Sequence, residues 1–293
     1  MTGPRVWLLA ARPATLPAAV VPVIVGTGSA LHGTHTLNLP IFIPTLLAAL
    51  LIQIGTNFAN DVFDFRRGAD TAERLGPLRV TQGGLVTPRQ VLIATFVTFG
   101  LALLIGIYLV AIGGWPILAI GVVCVLSGLL YTGGPWPFGY HGLGDLVCFL
   151  TFGVLAVLGT AYLQTLSITA LDLWASIPVG CLVTAILIVN NLRDIDTDRR
   201  VGKRTLAVIL GRTGTRVEYA LCVAVAYGVV IGLGVTGRVG FWWWLPLLSL
   251  PLGVWLVRYV GQTEGRPLNQ ALKRTGQLHL LFGLLFGAAM WLG

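Results

Sequence analysis

The stretch Asn57-Phe-Ala-Asn60-Asp61-Val-Phe-Asp64-Phe-Arg66-Arg67-Gly-Ala-Asp70 places carboxylates at the end of an otherwise uncharged apolar run. Asn190-Asn191-Leu-Arg193-Asp194-Ile-Asp196-Thr-Asp198 ends another such run far downstream. Together they hold six of the eleven acidic residues, in a chain where charged residues are 10% of the total. Residues four apart share a helix face, so Asn57 and Asp61 form one oxygen-bearing stripe, and Asp194 and Asp198 form another. Asp64, three beyond Asp61, extends the first. Like charges in such rows repel and call for a counter-ion. A hard divalent cation supplies it: Mg²⁺ is commonly shared between one or two carboxylates and substrate phosphates.

The neighbouring cations agree with that chemistry. Arg66, Arg67, Arg79, Arg193, Lys203 and Arg204 lie in the same two regions, as partners for phosphate oxygens. A Mg²⁺ ion flanked by Arg and Lys binds a diphosphate and stabilises the charge that grows on it as it leaves. The adjoining apolar bundle would hold a lipid tail. Ligands for a softer metal are missing. Cys124, Cys148, Cys181 and Cys222 form no CxxC pair and read as packed core thiols, and His32, His35, His141 and His279 share no ligand spacing. One acidic helix end alone reads equally well as ordinary solvated loop. Two matched ends at membrane depth point to function, because intramembrane charge is costly. Asp70, Glu73 and Asp196 read equally well as simple loop charges.

The elements that carry these residues follow from composition. At 56% hydrophobic, the 293-residue chain has more apolar surface than a soluble domain hides, so its solvent is a bilayer. Crossing about 30 Å of hydrocarbon at about 1.5 Å per residue takes about 20 residues. Stretches of that kind lie near 14–32, 41–59, 90–110, 115–131, 145–164, 173–191, 217–236, 241–260 and 277–292. The expected fold is therefore all-α, a polytopic membrane bundle of nine transmembrane helices. Basic residues support the number independently, since short cytoplasmic loops collect Lys and Arg. With the N-terminus inside, eighteen of the nineteen fall on the cytoplasmic side and Arg238 alone falls outside. The net charge of +8 is thus topological and does not argue for nucleic acid. No removable signal peptide is evident, and Trp242, Trp243 and Trp244 fit an outer interfacial belt.

No linker divides the chain, so residues 1–293 read as a single integral-membrane domain. Its halves echo each other. Asn57 precedes Asp61 by four as Asn190 precedes Asp194, and Arg66-Arg67 follow the first cluster as Arg199-Arg200 follow the second. Both clusters close a helix, the second and the sixth, which suggests two four-helix units plus a ninth helix.

At these residues the chain resembles the UbiA superfamily of membrane aromatic prenyltransferases, whose pattern is two Asp-rich motifs on cytoplasmic helix ends. Within it the likeness is to the MenA branch, which prenylates 1,4-dihydroxy-2-naphthoate. Five blocks carry it in order: Arg12-Pro-Ala-Thr-Leu16 with Pro22-Val; Asn57 to Asp70 with Gly76-Pro-Leu-Arg79 and Gln82-Gly-Gly-Leu-Val-Thr87; Tyr131-Thr-Gly-Gly-Pro135; Gly139-Tyr140 with Gly142-Leu-Gly-Asp145; and Asn190 to Asp198 with Gly202-Lys203 and Thr205-Leu206. One departure is Trp136, where many relatives carry a basic residue. The resemblance implies transfer of a polyprenyl group from its diphosphate to a naphthalene ring, with loss of CO₂, toward demethylmenaquinone and so menaquinone. It implies a multi-pass protein of the cell membrane, with the active-site loops cytoplasmic.

The same resemblance assigns the residues. Asn57, Asp61, Asp64, Asp194 and Asp198 form the Mg²⁺-diphosphate shell, with the four aspartates as catalytic groups. Asn60, Arg66, Arg79, Asn190, Asn191 and Lys203 contact substrate. Tyr131 and Tyr140 shield the allylic cation or orient the ring through their faces, packing or interfacial anchoring being the alternative. Thr15 and Gln53 offer polar contacts in the cavity or between helices. Two other readings stay open at this point: a different aromatic acceptor, and a secondary transporter, which the half-repeat and the intramembrane acids would also suit. Prenyl chain length and oligomeric state are not encoded in these motifs.

Overall fold

The computed structural model describes residues 3–33, 35–70 and 75–293. Every regular element among them is helical. In chain order they are α1 (Pro4–Ala11), α2 (Pro17–Ala30), α3 (Leu39–Arg66), α4 (Pro88–Gly113), α5 (Trp115–Leu130), α6 (Gly144–Thr165), α7 (Ala170–Arg200), α8 (Leu206–Val235), α9 (Phe241–Gln262) and α10 (Leu268–Leu292). Seven of them, α3, α4 and α6 to α10, are long and apolar enough to cross a membrane. The bent pair Pro4–Thr15 and Pro17–Ala30, at 51°, passes the same test together. The apolar α5 is shorter, at 16 residues. Each of the nine expected stretches falls on one of these elements, though the helices outrun them. α3 continues past Asp61 and Asp64 to end at Arg66, α7 continues through its whole acidic cluster, and α8 and α10 begin about ten residues before their apolar stretches do.

Local sequence explains the ends. Proline opens α1, α2, α3 and α4 within the first turn, where its missing N–H costs nothing. Thr87 with Gln90 caps α4, and Thr169 with Asp172 caps α7, each as a reciprocal capping box. Asp172 is further fixed by the Ser29 hydroxyl at 2.7 Å, which ties α7 to α2. In α6 the middle turns, Phe149–Leu155, are π-helical.

Bilayer burial leaves helix contacts to shape rather than to hydrophobicity, so small residues stand where helices meet closely. A Cβ on Gly28 would lie 2.5 Å from the Gly287 carbonyl oxygen, and one on Gly26 would lie 2.5 Å from that of Val157. α2 is thereby clamped between α10 and α6. The main apolar core runs along α7, α8 and α10, with Leu182, Ile188, Tyr219, Phe282 and Phe286 fully enclosed. Large side chains of α4 and α5, among them Leu103, Leu104, Ile107 and Leu118, stay exposed and form a lipid-facing surface. The four cysteines are free thiols.

Candidate functional site

Both acidic clusters lie toward the C-terminal ends of long helices, α3 and α7, and of their residues Asn57, Asn60, Asp64 and Asn190, but not Asp61, Asp194 or Asp198, line one cavity of about 790 Å³. Its wall is mostly apolar: Phe96, Phe99, Leu109, Ile117, Val147, Phe152 and Leu163 from α4, α5 and α6. Polar side chains gather at one end. There Asn57, Asn60 and Asp64 of α3 stand with Arg79, Tyr131, Asn190 of α7 and Lys203. Seven of the residues expected to form the site therefore share one chamber, with cations and hard oxygens at its mouth and hydrocarbon beyond.

The carboxylates have distinct surroundings. Asp64, 3% exposed, accepts from Arg79 Nη2 at 3.2 Å and from the Tyr140 hydroxyl at 2.8 Å. Arg79 Nε also lies 3.4 Å from Asp70, so Asp70 is a buried ion-pair partner and not a solvated loop charge. Asp198 pairs with Lys203 at 3.7 Å, and the Lys203 ammonium lies 5.2 Å from the centre of the Tyr140 ring. Arg67 approaches the same ring at 5.6 Å while donating to the Thr132 and Gly134 carbonyls. Tyr140 thus joins the two motifs: its hydroxyl holds Asp64, and its π face receives cations from both sides. Burial, then the Asp64 carboxylate, pushes its phenol well above the ordinary range, so it stays a donor. Burial likewise raises Tyr131.

Asp61 and Asp194 are placed differently from the single shell expected of all five ligands. Asp61, 1% exposed, accepts the backbone N–H groups of Val80 at 3.2 Å and Thr81 at 3.0 Å. It anchors the loop that presents Arg79. Asp194 is held in a fork by Arg193, Nε to Oδ1 at 2.8 Å and Nη2 to Oδ2 at 2.5 Å. Arg193 also donates to Asn190 and to Asn269 of α10, both at 2.8 Å. Asn269 in turn donates to the Leu75 carbonyl. Gly76 makes room for this hub, since a Cβ there would lie 2.7 Å from Arg193 Nη2.

Asn191 is buried outside the chamber wall, and Arg66 and Arg67 are both exposed and outside it too. Asp196 lies on the last turns of α7 and is a surface partner of Arg212 of α8 at 2.6 Å, outside the chamber. Glu73 lies outside the described residues. Trp136, at the departed position, is half exposed and stacks on His141 at 4.4 Å. Sequence reasoning placed Arg67 among the phosphate partners but did not foresee its contacts with the Tyr140 ring and the Thr132 and Gly134 carbonyls. It also left Arg12 in a motif without a role, although Arg12 lines the chamber.

Among the described residues no three His, Cys, Asp or Glu side chains stand close enough to hold a metal ion by themselves. The donors facing the chamber are hard oxygens and amides, which suit Mg²⁺ when substrate phosphates and water complete its shell.

Residues 19–281 match the model of the UbiA prenyltransferase family. The chain belongs to that family. Among its UbiA relatives, the 1,4-dihydroxy-2-naphthoate octaprenyltransferase of Bacillus subtilis is 37% identical over 290 residues, covering 98% of this chain and 92% of the relative. The protein of the same description from Mycobacterium tuberculosis is 38% identical, covering 98% and 97%. In three dimensions the chain is similar to a UbiA homolog from Archaeoglobus fulgidus described as bound to GPP and Mg²⁺, with a TM-score of 0.69 at 16% identity over 98% and 100% of the two chains. That likeness concerns the fold.

Proposed function

We propose that the chain transfers a polyprenyl group from polyprenyl diphosphate to 1,4-dihydroxy-2-naphthoate, releasing diphosphate and CO₂ and giving the demethylmenaquinol of menaquinone biosynthesis. The observation that carries this reading is one chamber with charged and hard-oxygen side chains in its lining and a hydrocarbon wall, in a chain whose UbiA relatives, matched over nearly their full length, are described by that activity. A transporter would place its acids at mid-membrane between repeats. Here both clusters sit at helix ends.

Asn57 and Asp64 on one side and Asp198 on the other would hold Mg²⁺ together with the donor's diphosphate. Held there, the ion would supply positive charge to the leaving diphosphate. Arg79 and Lys203, now paired with Asp64 and Asp198, are placed to take up phosphate oxygens. Asp61 and Asp194 act through others, one fixing the Arg79 loop and one fixing Arg193. The tail lies along the apolar wall, which excludes water from the allylic cation. The Tyr131 ring faces this space, and its π surface attracts developing positive charge. The ring carbon of the acceptor forms the new bond, and the departing diphosphate keeps the bonding pair. The Lys and Arg distribution supports a cell-membrane protein with its N-terminus and this mouth in the cytoplasm.

Purified protein given Mg²⁺, a polyprenyl diphosphate and dihydroxynaphthoate should release diphosphate and yield the prenylated, decarboxylated product by mass spectrometry, and chelation should abolish both. Folded protein that shows no acceptor-dependent turnover across several donor lengths refutes the reading.

A further inference from the structure

One part of the chamber wall has chemistry that a diphosphate or a hydrocarbon tail cannot use. Gln53 lies on α3 four residues before Asn57, hence about 6 Å further from the mouth, and is 6% exposed while lining the chamber. Its Nε2 donates to the Thr15 carbonyl at 3.4 Å and to the Thr15 hydroxyl at 3.3 Å. That hydroxyl donates to the Arg12 carbonyl at 3.0 Å, and Asn57 Nδ2 donates to Thr15 Oγ1 at 3.1 Å and to the Ala11 carbonyl at 2.9 Å. A carbonyl only accepts, so the nitrogen of Gln53 must face Thr15 and the amide orientation is fixed. Its Oε1 is then left without a hydrogen-bond partner within the protein.

That oxygen needs a donor, and the substrates differ in having one. The ionised diphosphate presents oxygens alone and the prenyl tail presents no polar hydrogen. An aromatic acceptor presents O–H groups. Arg12 supplies the complementary charge. It lines the same wall and its backbone is left-handed, at φ 52, directly before Pro13. A non-glycine residue is uncommon in that region, and the position before a proline resists helical conformations on its own account. Such strain is retained where the side chain must point to a particular place.

We propose that Gln53 and Arg12 form the acceptor subsite: Gln53 Oε1 accepts a hydrogen bond from a ring hydroxyl, and Arg12 faces the carboxylate of a hydroxylated aromatic acid. The inference rests on the prenyl-transfer reading above. The amide oxygen is too weak a base to take the proton. Its hydrogen bond leaves electron density on the phenolic oxygen, which makes the ring carbons more nucleophilic, and holds the ring one helical turn below the diphosphate. A site built around a substrate hydroxyl also rejects analogues that lack it.

The test separates the two substrates. In Gln53→Met, which keeps the length and loses the oxygen, the KM for dihydroxynaphthoate should rise about tenfold or more, while that for the polyprenyl diphosphate changes less than about twofold. Wild type should disfavour one of the two mono-methyl ethers of the acceptor by a similar factor, and Gln53→Met should erase that preference. Arg12→Gln gives an independent arm: the KM for the carboxylated acceptor should rise about tenfold, while competitive inhibition by naphthalene-1,4-diol stays level. An unchanged acceptor KM in Gln53→Met overturns the proposal, as does a donor KM that rises in step, or an Arg12→Gln penalty shared by the diol. If wild type itself shows no acceptor-dependent diphosphate release, the parent reading has failed instead.

Discussion

Asp61 and Asp64 are three residues apart on one helix, yet their surroundings give them different work. Asp61 spends both oxygens on backbone N–H groups of the loop after α3, whereas Asp64 faces the chamber with Arg79 and Tyr140 as partners. An amide at position 61 could accept one of those N–H groups and would set its own N–H₂ against the other. Asp61→Asn should therefore lose both activity and stability, by about 1–3 kcal/mol, with KM for the diphosphate rising as Arg79 loses its place. Asp64→Asn should lower kcat by about a hundredfold or more and leave the melting temperature of the detergent-solubilised protein near that of wild type. A stable but inactive Asp61→Asn would return that residue to the metal shell. Sequence spacing could not separate the two acids, because a four-residue period says which face a side chain shares and not what comes to meet it. What meets Asp61 is a loop nineteen residues downstream, and nothing local announces it.

The same limit applies to elements. Helix positions were legible because bilayer-length apolar runs and basic loops are written directly in composition. The extension of α3 past Asp64 and of α7 through its acidic cluster was readable too, from the four-residue repeats. The bridging role of α10 was not. Its Asn269 receives Arg193 from α7 and binds the Leu75 carbonyl of the loop after α3, so three elements meet at one guanidinium. In sequence Asn269 is an ordinary polar residue at the start of an apolar helix. Arg193→Ala would strip the buried Asp194 of its counter-ion, and breaking a buried pair from one side costs about 3–5 kcal/mol. We expect a fall in melting temperature, together with faster proteolysis of the loop around residue 75. Arg193→Lys should recover little, because an ammonium cannot make the fork. The close approach of α2 to α10 is a second such case: glycine-rich helices promise tight packing somewhere, but only the structure pairs Gly28 with Gly287.

At the scale of the molecule, chemistry and topology are the same fact. The two acidic helix ends are joined through Tyr140 and Lys203, which link Asp64 to Asp198, and Arg12, Arg79 and Lys203 line the chamber beside them. A water-soluble diphosphate head and a carboxylated ring must enter from water, while the tail remains in hydrocarbon, so the mouth has to open on one aqueous side with the apolar wall reaching into the bilayer. The bias of Lys and Arg supports our proposal that this side is the cytoplasm. Arg238, between α8 and α9, is the exception that tests the orientation. None of the four native cysteines belongs to a loop, so they can be replaced by Ser or Ala to give a background without thiols. In that background, a cysteine at Arg238 should react with a membrane-impermeant maleimide added outside intact cells. One at Arg266, between α9 and α10, should react only after the membrane is opened. Labelling of both from the same side would mean that the span from Phe241 to Gln262 does not cross, and would place the two halves of the chain in a different register about the chamber.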